Sequence, residues 1–276
     1  MLSLATNVWE LRQDNPARGI KLFRESRRER FSTDEDLRVI GTWLMMDNPV
    51  TAEAMSYAGF DFLVIDMEHS GTDVREARAQ LQAIEGGGAS ALVRLPATEP
   101  VVTKKVLDLG AQSLMFPMIQ TAEDARRAVS YTRYAPEGIR GMAAMHRASR
   151  YTTVDGYLEK AARELCVTVQ IETVQGVANA ADIANVPGVD GLFVGPGDLS
   201  ASLGVIGQVT HAKVIENVER VLADAHAAGK PAGILAANEE LGERYARLGF
   251  DFVAVASDLA FLMKGARGAL ARVKGS

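Results

Sequence analysis

This chain has little cysteine and no excess of positive charge, and each absence excludes a class of protein. Cys166 is the only cysteine among 276 residues, so an intrachain disulfide is impossible and a cytoplasmic location is expected. Its apolar neighbours indicate a buried thiol rather than a nucleophile. The formal net charge of −5 lacks the basic excess that is typical of nucleic-acid binding. We therefore expect no nucleic-acid partner.

Long apolar runs and nucleotide-binding signatures are also missing. No apolar run approaches the roughly 20 residues that span a bilayer, and the N-terminal segment carries charges too early for a secretory signal. We find neither a G-x-G-x-x-G fingerprint nor a P-loop, which disfavours an open doubly wound sheet. The remaining composition is that of an ordinary globular protein, 47% hydrophobic and 24% charged. The chain of 276 residues is long enough for one α/β barrel or two smaller domains.

One pattern recurs after a polar lead: a short apolar segment, a polar turn, a helical stretch and a connection that contains glycine. Each apolar segment is rich in Val, Ile, Leu or Phe and is predicted as a strand. The predicted strands are Val39–Leu44, Phe62–Ile65, Ala91–Arg94, Ser113–Phe116, Val167–Ile171, Gly191–Val194, Ala232–Leu235 and Phe252–Ala256. Eight strand–helix units predict a (β/α)₈ barrel over residues 39–276, preceded by a helical lead over residues 1–38.

The residues that follow the predicted strands are the candidates for a catalytic site, because barrel active sites lie at the carboxyl ends of the strands. Glu172 and Asp198 follow two successive strands and flank a Gly-Pro-Gly turn, so they should lie side by side. Two hard oxygen ligands suit a divalent cation that keeps waters and binds a substrate. The alternative is that both carboxylates only cap helices.

Three further side chains, Asp66, His69 and Arg94, are predicted at the same rim and suit enolate chemistry on a 2-oxo acid. The metal would act as a Lewis acid, and Arg94 would add positive charge at the same oxygen. His69, oriented by Asp66, would activate a water or take the proton. Backbone N–H groups at Gly197 and Asp198 would hold the substrate carboxylate. No lysine ends an inner strand, so metal-dependent chemistry without an organic cofactor is favoured over a Schiff base.

Eight stretches of the chain resemble the HpcH/HpaI aldolase family of metal-dependent, class II pyruvate aldolases. They are GTWL, AGFDFLVIDMEHS, VRLP, VLDLGAQSLMFPMIQ, RYAPEGIRG, VQIETVQG, GVDGLFVGPGDLSASLG and GILAANEELGERYARLGFDFVAVASD. The resemblance covers about Ile40 to Ala271 and implies a TIM barrel of the phosphoenolpyruvate/pyruvate type. It implies reversible cleavage of 4-hydroxy-2-oxo acids to pyruvate and an aldehyde, with Mg²⁺, Mn²⁺ or Co²⁺ as the metal.

The family's central functional residues match positions of this chain. The resemblance implies metal ligands at Glu172 and Asp198. It also implies a catalytic histidine at His69 with its partner Asp66, and a carbonyl-polarising arginine at Arg94. These are the same residues that the strand ends point to, so the two lines of reasoning converge on one site.

The resemblance also implies roles away from the metal. Gln170 matches a glutamine near the pyruvate, and Trp43 and Leu235 match positions that line the aldehyde pocket. Asp108 matches an aspartate that reaches in from a neighbouring subunit. The family is usually a homohexamer of three dimers that exchange their last helix, which implies that the helix after Asp258 packs on a partner.

Departures from the family pattern leave the aldehyde open. Some members have alanine at the position of Gly197, and the missing methyl widens the aldehyde site. The loop GMAAMHRASRY is one residue short and carries an unexpected histidine, His146. Three other functions remain alternatives: a C–C lyase acting on CoA thioesters, oxaloacetate decarboxylation, and a non-catalytic barrel that senses an oxo acid. The sequence shows no basic cluster near the rim for CoA phosphates, which argues against the first.

Overall fold

Eight parallel strands close into a barrel in the computed structural model, which describes residues 39–275. Each strand pairs with the next along the chain, and the last pairs with the first. They are β1 (Val39–Leu44), β2 (Phe62–Asp66), β3 (Ser90–Arg94), β4 (Ser113–Phe116), β5 (Cys166–Ile171), β6 (Gly191–Val194), β7 (Ala232–Ala236) and β8 (Phe252–Ser257). The predicted TIM barrel is confirmed, and each predicted strand end lies within one residue of its observed position. The expectation of a helical lead over residues 1–38 lies outside the described residues.

Helices alternate with the strands around the barrel. They are α1 (Pro49–Ser56), α2 (Val74–Ile84), α3 (Pro100–Asp108), α4 (Ala122–Ser130), α5 (Tyr157–Lys160), α6 (Val174–Ala178), α7 (Ala180–Ala184), α8 (Pro196–Ser202), α9 (Ala212–Ala227), α10 (Glu239–Leu248) and α11 (Asp258–Lys274). Asp73 and Thr121 begin α2 and α4 with capping boxes, which satisfy the first backbone N–H groups of each helix. Among residues 39–275, no helix is long and apolar enough to cross a bilayer.

The stretch between β5 and β6 differs from the expected pattern of one helical stretch after each strand. It forms two short helices, α6 and α7, which meet at Asn179. Asn179 has φ −104° and ψ 8°, outside the helical region, and its side-chain amide donates to the carbonyl oxygen of Gln120 at 2.7 Å. That tertiary hydrogen bond competes with the helix and explains the break.

Aromatic side chains fill the interior of the barrel. The rings of Phe62 and Phe252 lie 6.1 Å apart in an edge-on arrangement, and Trp43 packs on Phe193 at 5.5 Å. Cys166 is buried in the same cluster, as expected. The rings fit because glycine lies opposite them: a Cβ at Gly41 would come within 2.5 Å of Phe62, and one at Gly233 within 2.1 Å of Phe252.

The last helix, α11, leaves most of its surface uncovered by the rest of the described chain. Only Asp258, at its first residue, is buried. The carboxylate of Asp258 accepts hydrogen bonds from the backbone N–H groups of Met45 and Met46, which ties the start of the helix to the end of β1. The exposed apolar side chains of the helix are Leu259, Leu262, Met263, Leu270 and Val273.

Candidate active site

A buried ion pair joins the carboxyl ends of β2 and β3, where Asp66 lies opposite Arg94 in the strand register. Arg94 donates from Nε to Asp66 Oδ1 at 3.0 Å and from Nη2 to Oδ2 at 2.6 Å. Trp43 donates from Nε1 to Asp66 Oδ2 at 3.2 Å, and its ring lies 5.1 Å from the guanidinium carbon. A forked, stacked guanidinium of this kind is held in one orientation. The guanidinium that lines the site is therefore fixed before any substrate arrives.

Glu68 completes the acidic side of this site, although the sequence analysis gave it no role. Its Oε2 lies 2.8 Å from Arg94 Nη1, on the nitrogen that Asp66 leaves free. Burial raises the pKa of Glu68, with the charge of Arg94 opposing the rise. The available signal was its position two residues after Asp66, in the turn that leaves β2.

His69 lies at the mouth of the site, with 57% of its side chain exposed. Its Nε2 is 3.9 Å from Glu68 Oε2. Asp66 contacts His69 through the backbone, because Asp66 Oδ1 accepts from the His69 N–H at 3.3 Å. Both oxygens of Asp66 are committed to Arg94, to Trp43 and to backbone amides. The structure therefore corrects the expectation that Asp66 orients the imidazole ring.

Glu172 brings a buried carboxylate with one unsatisfied oxygen to the end of β5. Its Oε1 accepts from the backbone N–H of Met118 at 2.8 Å. Its Oε2 is buried and has no hydrogen-bond partner among residues 39–275. Burial, helped by the nearby charges of Glu68 and Asp198, raises the pKa of Glu172 to about 7, against the opposing effects of the Met118 amide and Arg94. A cation bound here would stabilise the buried, unpaired carboxylate oxygen and its acidic neighbours.

The raised pKa of Glu172 predicts that the metal-free protein loses stability as the pH rises. The folded protein binds more protons than the unfolded chain between the usual value of 4.5 and about 7. The free energy of unfolding should therefore fall from about pH 5 to about pH 8, by up to about 3 kcal/mol from this group. Thermal unfolding in EDTA across this range measures the effect. The fall should be smaller by that amount in Glu172→Gln, and identical pH profiles for the two proteins would contradict the assignment.

Asp198 lies in the first turn of α8, directly after β6. In the register of β5 and β6, Ile171 pairs with Val194, so Glu172 and Gly195 leave the two strands side by side. Within residues 39–275, no group of three or more His, Cys, Asp or Glu side chains is placed to hold a metal alone. Two carboxylates would therefore bind a cation only with waters and substrate completing the shell, as Mg²⁺ sites commonly do.

Gly195 makes room for the Glu172 carboxylate. A Cβ at this position would lie 2.5 Å from Glu172 Oε2 and 2.9 Å from Gln170 Nε2. Gly197, two residues later, has nothing within 4 Å of the corresponding point. The two glycines are therefore a matched pair: one is required by the site and the other is not.

Gly195→Ala should weaken metal binding and lower kcat/KM by about 10-fold to 100-fold, the cost of disturbing the support of a metal ligand. The new methyl group has to displace the Glu172 carboxylate. Gly197→Ala is the control and should change metal affinity less than about threefold, since its methyl meets open space. Titration of both variants with Mn²⁺ measures the two metal affinities. Equal affinities in the two variants would show that Glu172 does not hold the metal.

A cavity of about 360 Å³ opens at this rim. It brings together most of the residues that the sequence analysis assigned to the site. Those that line it are Trp43, His69, Arg94, Gln170, Gly197, Asp198 and Leu235. Gln170 is buried, and its amide oxygen is without a hydrogen-bond partner in the described part of the chain. The cavity can therefore offer polar groups on one side to a small oxo acid.

Asp108 lies outside this cavity, at the C-terminal end of α3. Its Oδ1 accepts from Arg140 Nη2 at 2.9 Å and is 3.7 Å from His146 Nε2. Arg140 also donates to the Tyr157 hydroxyl at 3.1 Å and stacks over Tyr134 at 4.6 Å. Burial lowers the pKa of His146, against the opposing charge of Asp108. None of these side chains lines the cavity of its own chain. A role for Asp108 in a neighbouring subunit stays a prediction.

Comparisons with known proteins identify relatives of this chain in sequence and in structure. A family model for HpcH/HpaI aldolase/citrate lyase matches residues 39–264. The chain is 46% identical to 2-dehydro-3,6-dideoxy-6-sulfogluconate aldolase of Pseudomonas putida, over 86% of this chain and 92% of that protein. It is 45% identical to 5-keto-4-deoxy-D-glucarate aldolase of Citrobacter koseri, over 80% and 86%. The crystal structure of a HpcH/HpaI aldolase/citrate lyase family protein from Burkholderia cenocepacia superposes with a TM-score of 0.86 at 40% identity, covering 90% of this chain and 99% of that one.

Proposed function

Because the chain belongs to the HpcH/HpaI aldolase/citrate lyase family, we propose that it is a divalent-metal-dependent aldolase that reversibly cleaves 4-hydroxy-2-oxo acids to pyruvate and an aldehyde. The observation that carries the proposal is the unpaired, buried Oε2 of Glu172 at the same rim as Asp198 and the fixed guanidinium of Arg94. In this proposal the two carboxylates hold the metal, and Arg94 lies near the oxygen on which the enolate charge develops.

Glu172 and Asp198 fit a divalent cation by their chemistry and by the unsatisfied Glu172 oxygen. We propose Mg²⁺, Mn²⁺ or Co²⁺, each of which accepts carboxylate, water and substrate oxygens. When bound, the cation supplies Lewis-acid stabilisation of the negative charge that develops on the 2-oxo oxygen during cleavage. The proposed reaction requires no organic cofactor.

Arg94 supplies a second positive charge at that oxygen. The guanidinium needs no reorganisation during the reaction, because Asp66 and Trp43 already hold it. The backbone N–H groups of Gly197 and Asp198, in the first turn of α8, are proposed to bind the substrate carboxylate. The carboxylate and the 2-oxo oxygen of the pyruvate half would then both be held.

His69 is proposed to carry the proton. In the cleavage direction the C4 hydroxyl loses its proton, the C3–C4 bond breaks, and its electron pair remains on the pyruvate fragment. His69 lines the cavity and can take this proton directly or through a water. The carboxylate of Glu68, 3.9 Å from His69 Nε2, would stabilise the imidazolium that forms. Protonation of C3 of the resulting enolate, by the imidazolium or by water, then gives pyruvate. In the synthetic direction His69 returns a proton to the aldehyde oxygen.

The experiment that tests the proposal is a screen of 4-hydroxy-2-oxo acids for pyruvate release, with EDTA-treated protein and with added Mn²⁺ or Mg²⁺. We expect release only with metal, and from at least one acid of the series. Metal-loaded protein that releases no pyruvate from any member would contradict the proposal. Malyl-CoA belongs in the same screen, since its cleavage would favour the alternative of a CoA-thioester lyase. Oxaloacetate tests the decarboxylase alternative.

We further propose that the chain assembles as a homohexamer, a trimer of dimers in which α11 packs on a partner. The exposed apolar side chains of α11 and the distance of Asp108 from its own cavity support this proposal. Light scattering measures the assembly. Mixing Asp108→Asn with Arg94→Lys subunits should restore part of the activity, because some sites would then contain both native residues. A monomer, or no restoration on mixing, would contradict it.

A further inference from the structure

The turn that carries His69, residues 66–72, is held through its backbone and not through the imidazole ring. The ring nitrogen Nε2 lies 3.9 Å from Glu68 Oε2, which is too far for a hydrogen bond. Asp66 fixes the start of the turn, because its Oδ1 accepts from the N–H groups of Glu68 at 2.9 Å and His69 at 3.3 Å. The Ser70 hydroxyl donates to the Asp66 carbonyl oxygen. The position of the imidazole therefore follows the position of the turn.

Asp47 holds the other end of this turn from the connection that follows β1. Its Oδ2 accepts from the Gly71 N–H at 3.0 Å, and its Oδ1 accepts from the Thr72 hydroxyl. Thr72 is buried and also accepts from the buried side chain of Gln80 at 3.2 Å. Hydrogen bonds to an ionised carboxylate are stronger than those between neutral groups. One carboxylate therefore closes the turn that begins at Asp66.

The backbone around Asp47 is fixed in the conformation that this contact needs. Asp47 has φ 52°, in the left-handed region that aspartate enters more readily than most residues. Just before it, the N–H groups of Met45 and Met46 donate to the buried carboxylate of Asp258 at 2.8 Å and 3.3 Å. On the opposite side, a Cβ at Gly71 would lie 2.6 Å from Asp47 Oδ2, so glycine is needed for the carboxylate to reach the turn. The carboxylate is therefore held between two anchored connections.

We propose that Asp47 is a positioning residue for His69, which fixes the turn that presents the imidazole to the C4 hydroxyl of the substrate. The inference rests on the proposed aldolase function, in which His69 carries the proton. Asp47 is not among the described residues that line the cavity, whereas His69 is, so Asp47 acts through the turn. A general base works only within hydrogen-bond reach of its proton. A small displacement of the turn therefore slows proton transfer and leaves the binding of the metal and of the pyruvate half unchanged.

The test is a double-mutant cycle on pyruvate release by the metal-loaded protein. Asp47→Ala removes both contacts to the turn and should lower kcat by about tenfold to 100-fold. KM and Mn²⁺ affinity should change less than about twofold, because this variant leaves the residues that bind the metal and the pyruvate half in place. In a His69→Asn background the same change should lower the residual kcat less than about threefold, since a residue that acts through His69 then has nothing to position.

Two further variants separate the contact to the turn from a general effect on the fold. Asp47→Asn is the conservative change: its amide oxygen can still accept from the Gly71 N–H, so it should recover most of the kcat that Asp47→Ala loses. Asp73→Asn is the matched control. Asp73 is exposed and lies one residue past the turn, but its Oδ1 accepts from the Arg75 N–H at the start of α2. Asparagine caps helices as well as aspartate does, so this variant should keep the wild-type kcat.

Amide hydrogen exchange tests the hold on the turn without turnover. In the metal-free protein, amides of residues 68–72 should exchange at least about tenfold faster in Asp47→Ala than in the wild type, and at the wild-type rate in Asp73→Asn. Three results would overturn the inference: unchanged amide exchange, equal losses of kcat with and without His69, or a loss of Mn²⁺ affinity that matches the loss of kcat. A wild type that releases no pyruvate would contradict the proposed function, while the amide exchange rates would still test whether Asp47 fixes the turn.

Discussion

Arg94→Lys should lower kcat/KM for pyruvate release by about 10²–10³-fold, which is the usual cost of removing one preorganised electrostatic donor. Lysine keeps the positive charge but cannot donate to both oxygens of Asp66. It also loses the stacking on Trp43 and cannot hold Asp66 and Glu68 from separate nitrogens as the guanidinium does. The positive charge would therefore be present but no longer fixed at the developing oxyanion.

Pyruvate release and pyruvate methyl exchange should fall together in Arg94→Lys, since both pass through the same enolate. The variant should also unfold at a lower temperature, because Asp66 remains buried with a poorer partner. Assays well below that temperature keep the two effects apart. Arg126→Lys, at an exposed ion pair with Glu123, is the matched control and should leave both activities unchanged. Unchanged turnover in Arg94→Lys would show that Arg94 is purely structural.

Glu172→Gln should nearly abolish activity and weaken Mn²⁺ binding by more than the roughly 10–100-fold that changes outside the ligand shell cost. Glutamine preserves the shape of the side chain and removes its charge. In the metal-free protein the same change should be stabilising above about pH 7, because a buried, unpaired carboxylate is replaced by a neutral amide. One substitution would then raise stability without metal and lower stability with metal.

This opposite effect on stability is the signature of a metal ligand. Calorimetric titration with Mn²⁺ and thermal unfolding with and without the metal measure it. Glu240→Gln, an exposed carboxylate in the first turn of α10, makes the same change of charge and should alter neither quantity. Asp198→Asn should weaken metal binding in the same direction as Glu172→Gln. Wild-type metal affinity in either site variant would remove that residue from the proposed ligand set.

The sequence was sufficient to predict the barrel and the rim on which the cavity lies. Each strand is a short apolar segment between polar or glycine-containing turns, and parallel strands joined by helices bring their carboxyl ends to one rim. The neighbouring positions of Glu172 and Asp198 follow from this rule, because they leave the paired strands β5 and β6. The same rule puts Asp66 beside Arg94, opposite each other on β2 and β3.

The pairing of individual atoms could not be predicted from the sequence. The position of a residue at a strand end indicates that it reaches the rim, but not which neighbouring side chain pairs with a given carboxylate. Asp66 is engaged by the Arg94 fork and by Trp43, which left His69 to approach Glu68 instead. The need for glycine at position 195 is equally hidden, since it depends on where the Glu172 carboxylate lies in three dimensions.

The central claim is that the carboxylates and Arg94 stabilise a pyruvate enolate, and the most direct measurement is exchange of the pyruvate methyl protons with deuterium, followed by NMR. The protein would be stripped with EDTA and then supplied with Mg²⁺, with Mn²⁺ used in a parallel quenched-sample assay. We predict exchange only when metal is present, with or without an aldehyde. Failure of metal-loaded protein to exchange the methyl protons, both with pyruvate alone and with an aldehyde added, would contradict the claim.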